Sequence, residues 1–137
     1  MLGALGASAL MVAGCGSGSA YQNTPRPPAP INVAVNLTNA RVRISPAHVG
    51  AGPVVLLVAN EGTRSRDLTL QAPSGSGGSC LDADTSSGPI NPQGTARLAV
   101  DLVPGECLVA VRGNDIAPAR LTVGRERTSA QADLLQP

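Results

Sequence analysis

Few side chains in this 137-residue chain are able to do chemistry: three cysteines, one histidine, and a scatter of carboxylates and arginines. His48 is the only imidazole, and it lies between Pro46 and Gly50 with no nucleophile beside it. Catalysis by His requires such a partner, so His48 reads as a surface turn residue. Asp82 and Asp84 flank Ala83, a spacing able to touch calcium, but an EF-hand-type loop needs more carboxylates around a fixed Gly. Ser74-Gly75-Ser76-Gly77-Gly78-Ser79 lacks the Lys and following helix of a phosphate cradle and reads as flexible loop. No acid–base or nucleophile–base pair assembles around one His. The chain is therefore read as not an enzyme.

The first cysteine carries an address. Residues 2–13 are small and apolar without a charge, and the run ends in Val12-Ala13-Gly14-Cys15. That tetrapeptide resembles the bacterial lipobox, in which lipid is attached to the Cys and the preceding segment is removed. A membrane-spanning helix needs about 20 apolar residues, and this run is too short. An ordinary secretory signal with an incidental Cys is the competing reading. No Lys or Arg precedes the run, although export signals begin with positive charge. The expectation is a signal peptide over residues 1–14, lipid on Cys15, and a Gly/Ser/Pro-rich tether over residues 15–30. The first half of that tether reads as flexible and its Pro-rich half favours extended polyproline II. At about 3.1 Å per residue the whole tether of about 15 residues reaches roughly 45 Å from the bilayer.

With Cys15 acylated, Cys80 and Cys107 remain as an even pair in an exported chain, which reads as a disulfide. Closing the roughly 27-residue loop between them stabilises by about 3–4 kcal/mol. A redox or metal-carrying dithiol is the sharper reading, yet it lacks Cys-x-x-Cys proximity and a neighbouring His.

Composition narrows the rest. Apolar residues make up 42% of the chain, with no Phe, no Trp and one Tyr. Val, Leu, Ile and Ala must fill the core, and β-branched residues favour strands. A net charge of +1 gives no field to steer nucleic acid, and single-strand sites stack bases on aromatic faces absent here. Nucleic acid is excluded as a partner, and aromatic sugar platforms with it.

The elements that must position these residues are short strands. Val33, Val35 and Leu37 alternate, then Val42 and Ile44, with Arg41 and Arg43 opposite. Ser45-Pro46 ends that strand, and Gly50-Ala51-Gly52-Pro53 predicts a turn into residues 54–59, apolar throughout as in a strand covered on both faces. Asn60-Glu61-Gly62 predicts a turn in which Gly supplies positive φ. Leu68 and Leu70 point inward from the next strand. Residues 72–93 form a long loop, residues 95–102 resume alternation, Cys107, Val109 and Val111 share an inward face, and residues 119–123 close the domain. A short helix over 128–135 is the weakest element expected. About seven strands with Gly/Pro punctuation imply an all-β, antiparallel Greek-key β-sandwich over residues 31–124 with a tail over 125–137.

Three stretches give this sandwich a family likeness: Ser-Pro-Ala-His-Val-Gly-Ala-Gly before the apolar strand, Asn60-Glu61-Gly62, and Leu102-Val103-Pro104-Gly105-Glu106-Cys107. Together they resemble a cupredoxin domain across most of residues 31–124. In that family a His begins the strand four residues after Asn-x-Gly and is the first copper ligand; Arg66 stands there. The family's Leu-x-Pro-Gly-x-Tyr has Cys107 at its Tyr position, and four residues on, at the copper Cys, stands Val111. The second His and the Met would fall in residues 114–118, which contain neither. A blue-copper site needs two His and a thiolate, so the resemblance implies the fold without its copper: no cofactor and no metal.

The same resemblance brings Arg66 and residues 112–115 together at one end of the sandwich. Arg66, Arg112 and Asp115 are the candidate binding rim there. An Arg fork suits an anionic group, and pairing with Asp67 or Asp115 on a solvated rim is the plainer alternative. The functional expectation is a lipid-anchored, extracytoplasmic binding or assembly module of the cell envelope, with the membrane and an envelope protein as partners. The alternative is a metal or redox carrier using Cys80, Cys107, His48 and loop carboxylates.

Overall fold

A computed structural model describes residues 26–75 and 78–129, and among these it places eight strands and no helix. They are β1 (Ile31–Leu37), β2 (Val42–Ser45), β3 (His48–Asn60), β4 (Arg66–Gln71), β5 (Thr85–Ile90), β6 (Thr95–Leu102), β7 (Gly105–Val111) and β8 (Ala119–Glu126). The expected β-sandwich is present. Seven strands overlap the expected segments, β3 beginning earlier than expected, at His48; β5 lies inside the expected long loop and pairs with β4.

The two sheets share β3. Its first residues, from His48 to Ala51, run parallel to β8, in the sheet that continues β8-β7-β4-β5. From Gly52 onward it pairs antiparallel with β6 and, over Val54 to Asn60, parallel with β1, whose outer neighbour is β2. The turn expected over residues 50–53 is instead a corner within one strand. Gly52 adopts φ 117° there, and a Cβ on it would lie 2.9 Å from the Pro28 ring. Only glycine fits both demands.

One-sided burial replaces the expected two-sided burial of residues 54–59. Val54, Leu56 and Val58 are at most 2% exposed, whereas Leu57 on the opposite face is 38% exposed. A run can be apolar throughout and still turn alternate side chains to solvent. Between the sheets lie Leu37, Leu56, Leu68, Leu70, Leu102 and Leu121, all fully buried, with valines among them. Each contributes about 1.5–3 kcal/mol by leaving water, so leucine does the filling that aromatics do in other sandwiches.

The packed unit reaches past residues 31 and 124. Pro28 is buried, and Arg127 donates to the carbonyls of Ala29 (2.6 Å) and Pro53 (2.5 Å). Thr128 and Ser129 are not helical; the remainder of the expected terminal helix, together with the signal peptide, Cys15 and most of the tether, lies outside the described residues.

Candidate functional site at the Arg66 end of the sandwich

Pairing of Leu68 with Val111 sets the start of β4 beside the end of β7. The loop after Val111 therefore lies against Arg66. Asn60, at the end of β3 and 1% exposed, fixes this region from beneath. Its Nδ2 donates to the carbonyls of Arg64 (2.8 Å), Ile90 (2.9 Å) and Asn91 (3.3 Å), and its Oδ1 accepts from the Gly62 amide (3.0 Å). The expected role of Gly62 needs correction, because its φ is not positive. Its smallness is what counts: a Cβ would sit 3.0 Å from Asn39 Oδ1 and 3.1 Å from Asn60 Oδ1.

Arg66 is only 8% exposed, and its Nη1 donates to the Asp115 carboxylate. That hydrogen bond, with the guanidinium charge, holds the Asp115 carboxyl below the usual carboxylate range against a smaller opposing effect of desolvation. Arg112 Nε donates to Asp67 Oδ2 at 2.8 Å, its guanidinium otherwise in solvent. The two pairs are crossed: each arginine takes the carboxylate adjacent in sequence to the other arginine or on the other loop. Arg66 Nε and Asp67 Oδ1 are buried and have no partner among the described residues. Above them is a depression of about 410 Å³, with Arg64, Ser65, Pro89 and Gly113 on its walls. The structure thus brings Arg66, Arg112 and Asp115 together as the rim. Asn60 was missed as its organiser; its buried position at the end of an apolar strand was the signal that could have found it.

At the opposite end Cys80 and Cys107 are joined by a disulfide, their Cα atoms 5.5 Å apart and both side chains fully buried. The loop bearing Cys80 is stitched to β7 and to the end of β6: Cys80 N donates to Glu106 O (3.1 Å), Glu106 N to Gly78 O (2.9 Å), and Val103 N to Cys80 O (3.0 Å). His48 is exposed on β3, beside Thr122 of β8 and two strands away from Cys107. Asp82 and Asp84 are exposed, and among the described residues no three His, Cys, Asp or Glu form a group able to hold a metal. The donors of the carrier alternative are not brought together.

No protein-family model matches the sequence, and no curated protein matches it. Solved structures do. Auracyanin A, a "blue" copper protein from the green thermophilic photosynthetic bacterium Chloroflexus aurantiacus, superposes with a TM-score of 0.51 over 70% of this chain and all (100%) of its own, at 13% identity. The copper-containing nitrite reductase of Thermus scotoductus SA-01 matches with a TM-score of 0.50 and 12% identity, over 80% of this chain and 31% of the reductase chain. The fold is cupredoxin-like.

The residues at the cupredoxin-like domain's rim do not fit a blue-copper centre, which needs two His and a thiolate. At the first His position is Arg66, a guanidinium that cannot be deprotonated to ligate metal and that is committed to Asp115. At the Cys position is Val111, fully buried, and within the loop of the other ligands Ile116 packs into the core at 5% exposure. A fixed positive charge and two branched alkyl groups stand where soft donors are required.

Proposed function

We propose that this chain is a lipid-anchored, extracytoplasmic binding module of cupredoxin-like fold that works without type 1 copper and without catalysis. The observation that supports it most is the buried Arg66 guanidinium held by Asp115 in the depression at the end of the sandwich. A carboxylate or similar anionic group of an envelope protein is the partner chemistry such a fork suits. Asp115 is half exposed and is the group an incoming anion would replace. The lipobox-like Val12-Ala13-Gly14-Cys15 supports the anchor, and the buried disulfide accords with an oxidising compartment.

Copper titration tests the rim reading. Cu(II) added to the purified protein is expected to give no thiolate charge-transfer band and no stoichiometric metal after desalting; one tightly held copper per chain overturns it. The anchor is tested separately by Cys15→Ser, which is expected to move the protein from membrane to soluble fraction, since two or more acyl chains are what hold it there. An unchanged distribution rejects lipidation.

A further inference from the structure

We infer that the free edge of β6 pairs with β6 of a second copy of this chain, antiparallel and centred on Ala99. This surface is independent of the rim and of the reading built on it. Among the described residues, strand β6 is bonded to β3 alone. Asn60 N donates to Gly94 O at 2.9 Å, one step beyond the Ala59↔Thr95 pair. An antiparallel ladder alternates bonded and non-bonded pairs, so Ala96, Leu98, Val100 and Leu102 exchange bonds with β3. The amides and carbonyls of Thr95, Arg97, Ala99 and Asp101 then face away from the sheet. Such an edge is a template for another strand. Its far end is already closed, because Val103 N donates to Cys80 O, which leaves residues 95–101 open.

The side chains make that edge complementary to itself. Two copies related by a two-fold axis through Ala99 set Arg97 opposite Asp101 of the second copy, and Asp101 opposite its Arg97. Both are exposed, and neither enters an ion pair among the described residues. On the inward face Leu98 falls opposite Val100, and both are only partly buried in the single chain, so pairing removes further apolar surface from water. A shift of one residue sets Arg97 out of line with Asp101 and turns the apolar residues outward. Opposite charges directly across a strand pair favour the register, and like charges oppose it. The product is one continuous sheet running β2-β1-β3-β6 in each copy, closed by an isologous contact.

Cross-linking of the full chain, purified in detergent, reads the register directly. Paired residues in a bonded antiparallel pair have Cα atoms about 5.5 Å apart, inside the range a disulfide spans. Ala99→Cys is expected to give a covalent dimer on oxidation. Thr95→Cys, whose counterpart would lie roughly 27 Å along the strand at about 3.4 Å per residue, is expected to give none. Adding Arg97→Asp or Asp101→Arg singly to Ala99→Cys should abolish the link, and adding both should restore it. A wild-type chain that sediments as monomer at its highest soluble concentration overturns the inference. So does a dimer whose cross-link ignores the single reversals, which would place the contact elsewhere.

Discussion

Two arginines mark the two ends of this sandwich, and they are held in different ways. At the disulfide end Arg127 spends its donors on the chain's own backbone: Nε reaches the carbonyls of Gly50 and Ala51 at 3.3 Å, and Nη1 and Nη2 reach those of Ala29 and Pro53. Three of those carbonyls, of Gly50, Ala51 and Pro53, belong to β3 and cannot leave without unbending it. At the rim end Arg66 donates to Asp115, a half-exposed side chain on a loop, and its Nε has no partner among the described residues. The first arginine is a clasp. The second is held by a side chain on a loop, and that contrast separates an end locked by backbone from the end proposed to bind.

Removing the disulfide should have the largest effect. Replacing Cys80 and Cys107 together by Ala is expected to lower stability by about 3–4 kcal/mol, from a cross-link spanning 27 residues. In a domain of this size that is a fall in Tm on the order of 15 °C. Denaturant unfolding of the variant beside the oxidised wild type measures it, and a difference under about 1 kcal/mol would show that the disulfide end holds without its covalent bond.

Asn60→Ala comes next and acts on the rim. It strips bonds from three carbonyls and one amide, in part-buried or buried positions. The expected cost is about 2–3 kcal/mol, because unpaired buried polar groups bear their desolvation in full. Wild-type stability in this variant would mean that the loops after β3 and β5 organise themselves, and the rim would lose its fixed floor.

The smallest effect is in acid. The Asp115 carboxyl is held below its ordinary value of 3.8 by Arg66, so its contribution is present above about pH 4 and is lost as pH falls through the lowered value. Asp115→Asn should therefore flatten the decline in stability below about pH 4 while leaving the disulfide end untouched. Denaturant midpoints collected from neutral to strongly acidic solution for both proteins decide it; identical acid slopes would detach Asp115 from Arg66 in solution.

The sandwich was largely legible because its strands bury alternate residues. Val33, Val35 and Leu37, or Cys107, Val109 and Val111, announce their face by position alone. Strand β5 was not, because Thr-Ser-Ser-Gly-Pro-Ile has neither alternation nor β propensity. It is an edge strand held by backbone bonds to β4 across a register shift, and edges tolerate Gly and Pro. The parallel pairings of β3 with β1 and β8 were hidden too, since alternation reports which face is buried and not which strand lies alongside. At the rim, Arg66, Arg112 and Asp115 could be named through the resemblance, but not the crossing of partners that joins Arg112 to Asp67. Asn60 reads Ile90 and Asn91 thirty residues away, a relation set only by the folded topology.

The corner in β3 has a consequence for how the molecule opens. Because His48 to Ala51 belong to one sheet and Gly52 to Asn60 to the other, neither sheet can come apart while leaving the other a complete set of neighbours. Loss of β1 and β6 strands the far half of β3, and loss of β8 strands the near half. The domain should consequently behave as one foldon: amide hydrogen exchange in β1 and β8 is expected to proceed through the same global opening, with equal free energies and equal sensitivity to denaturant.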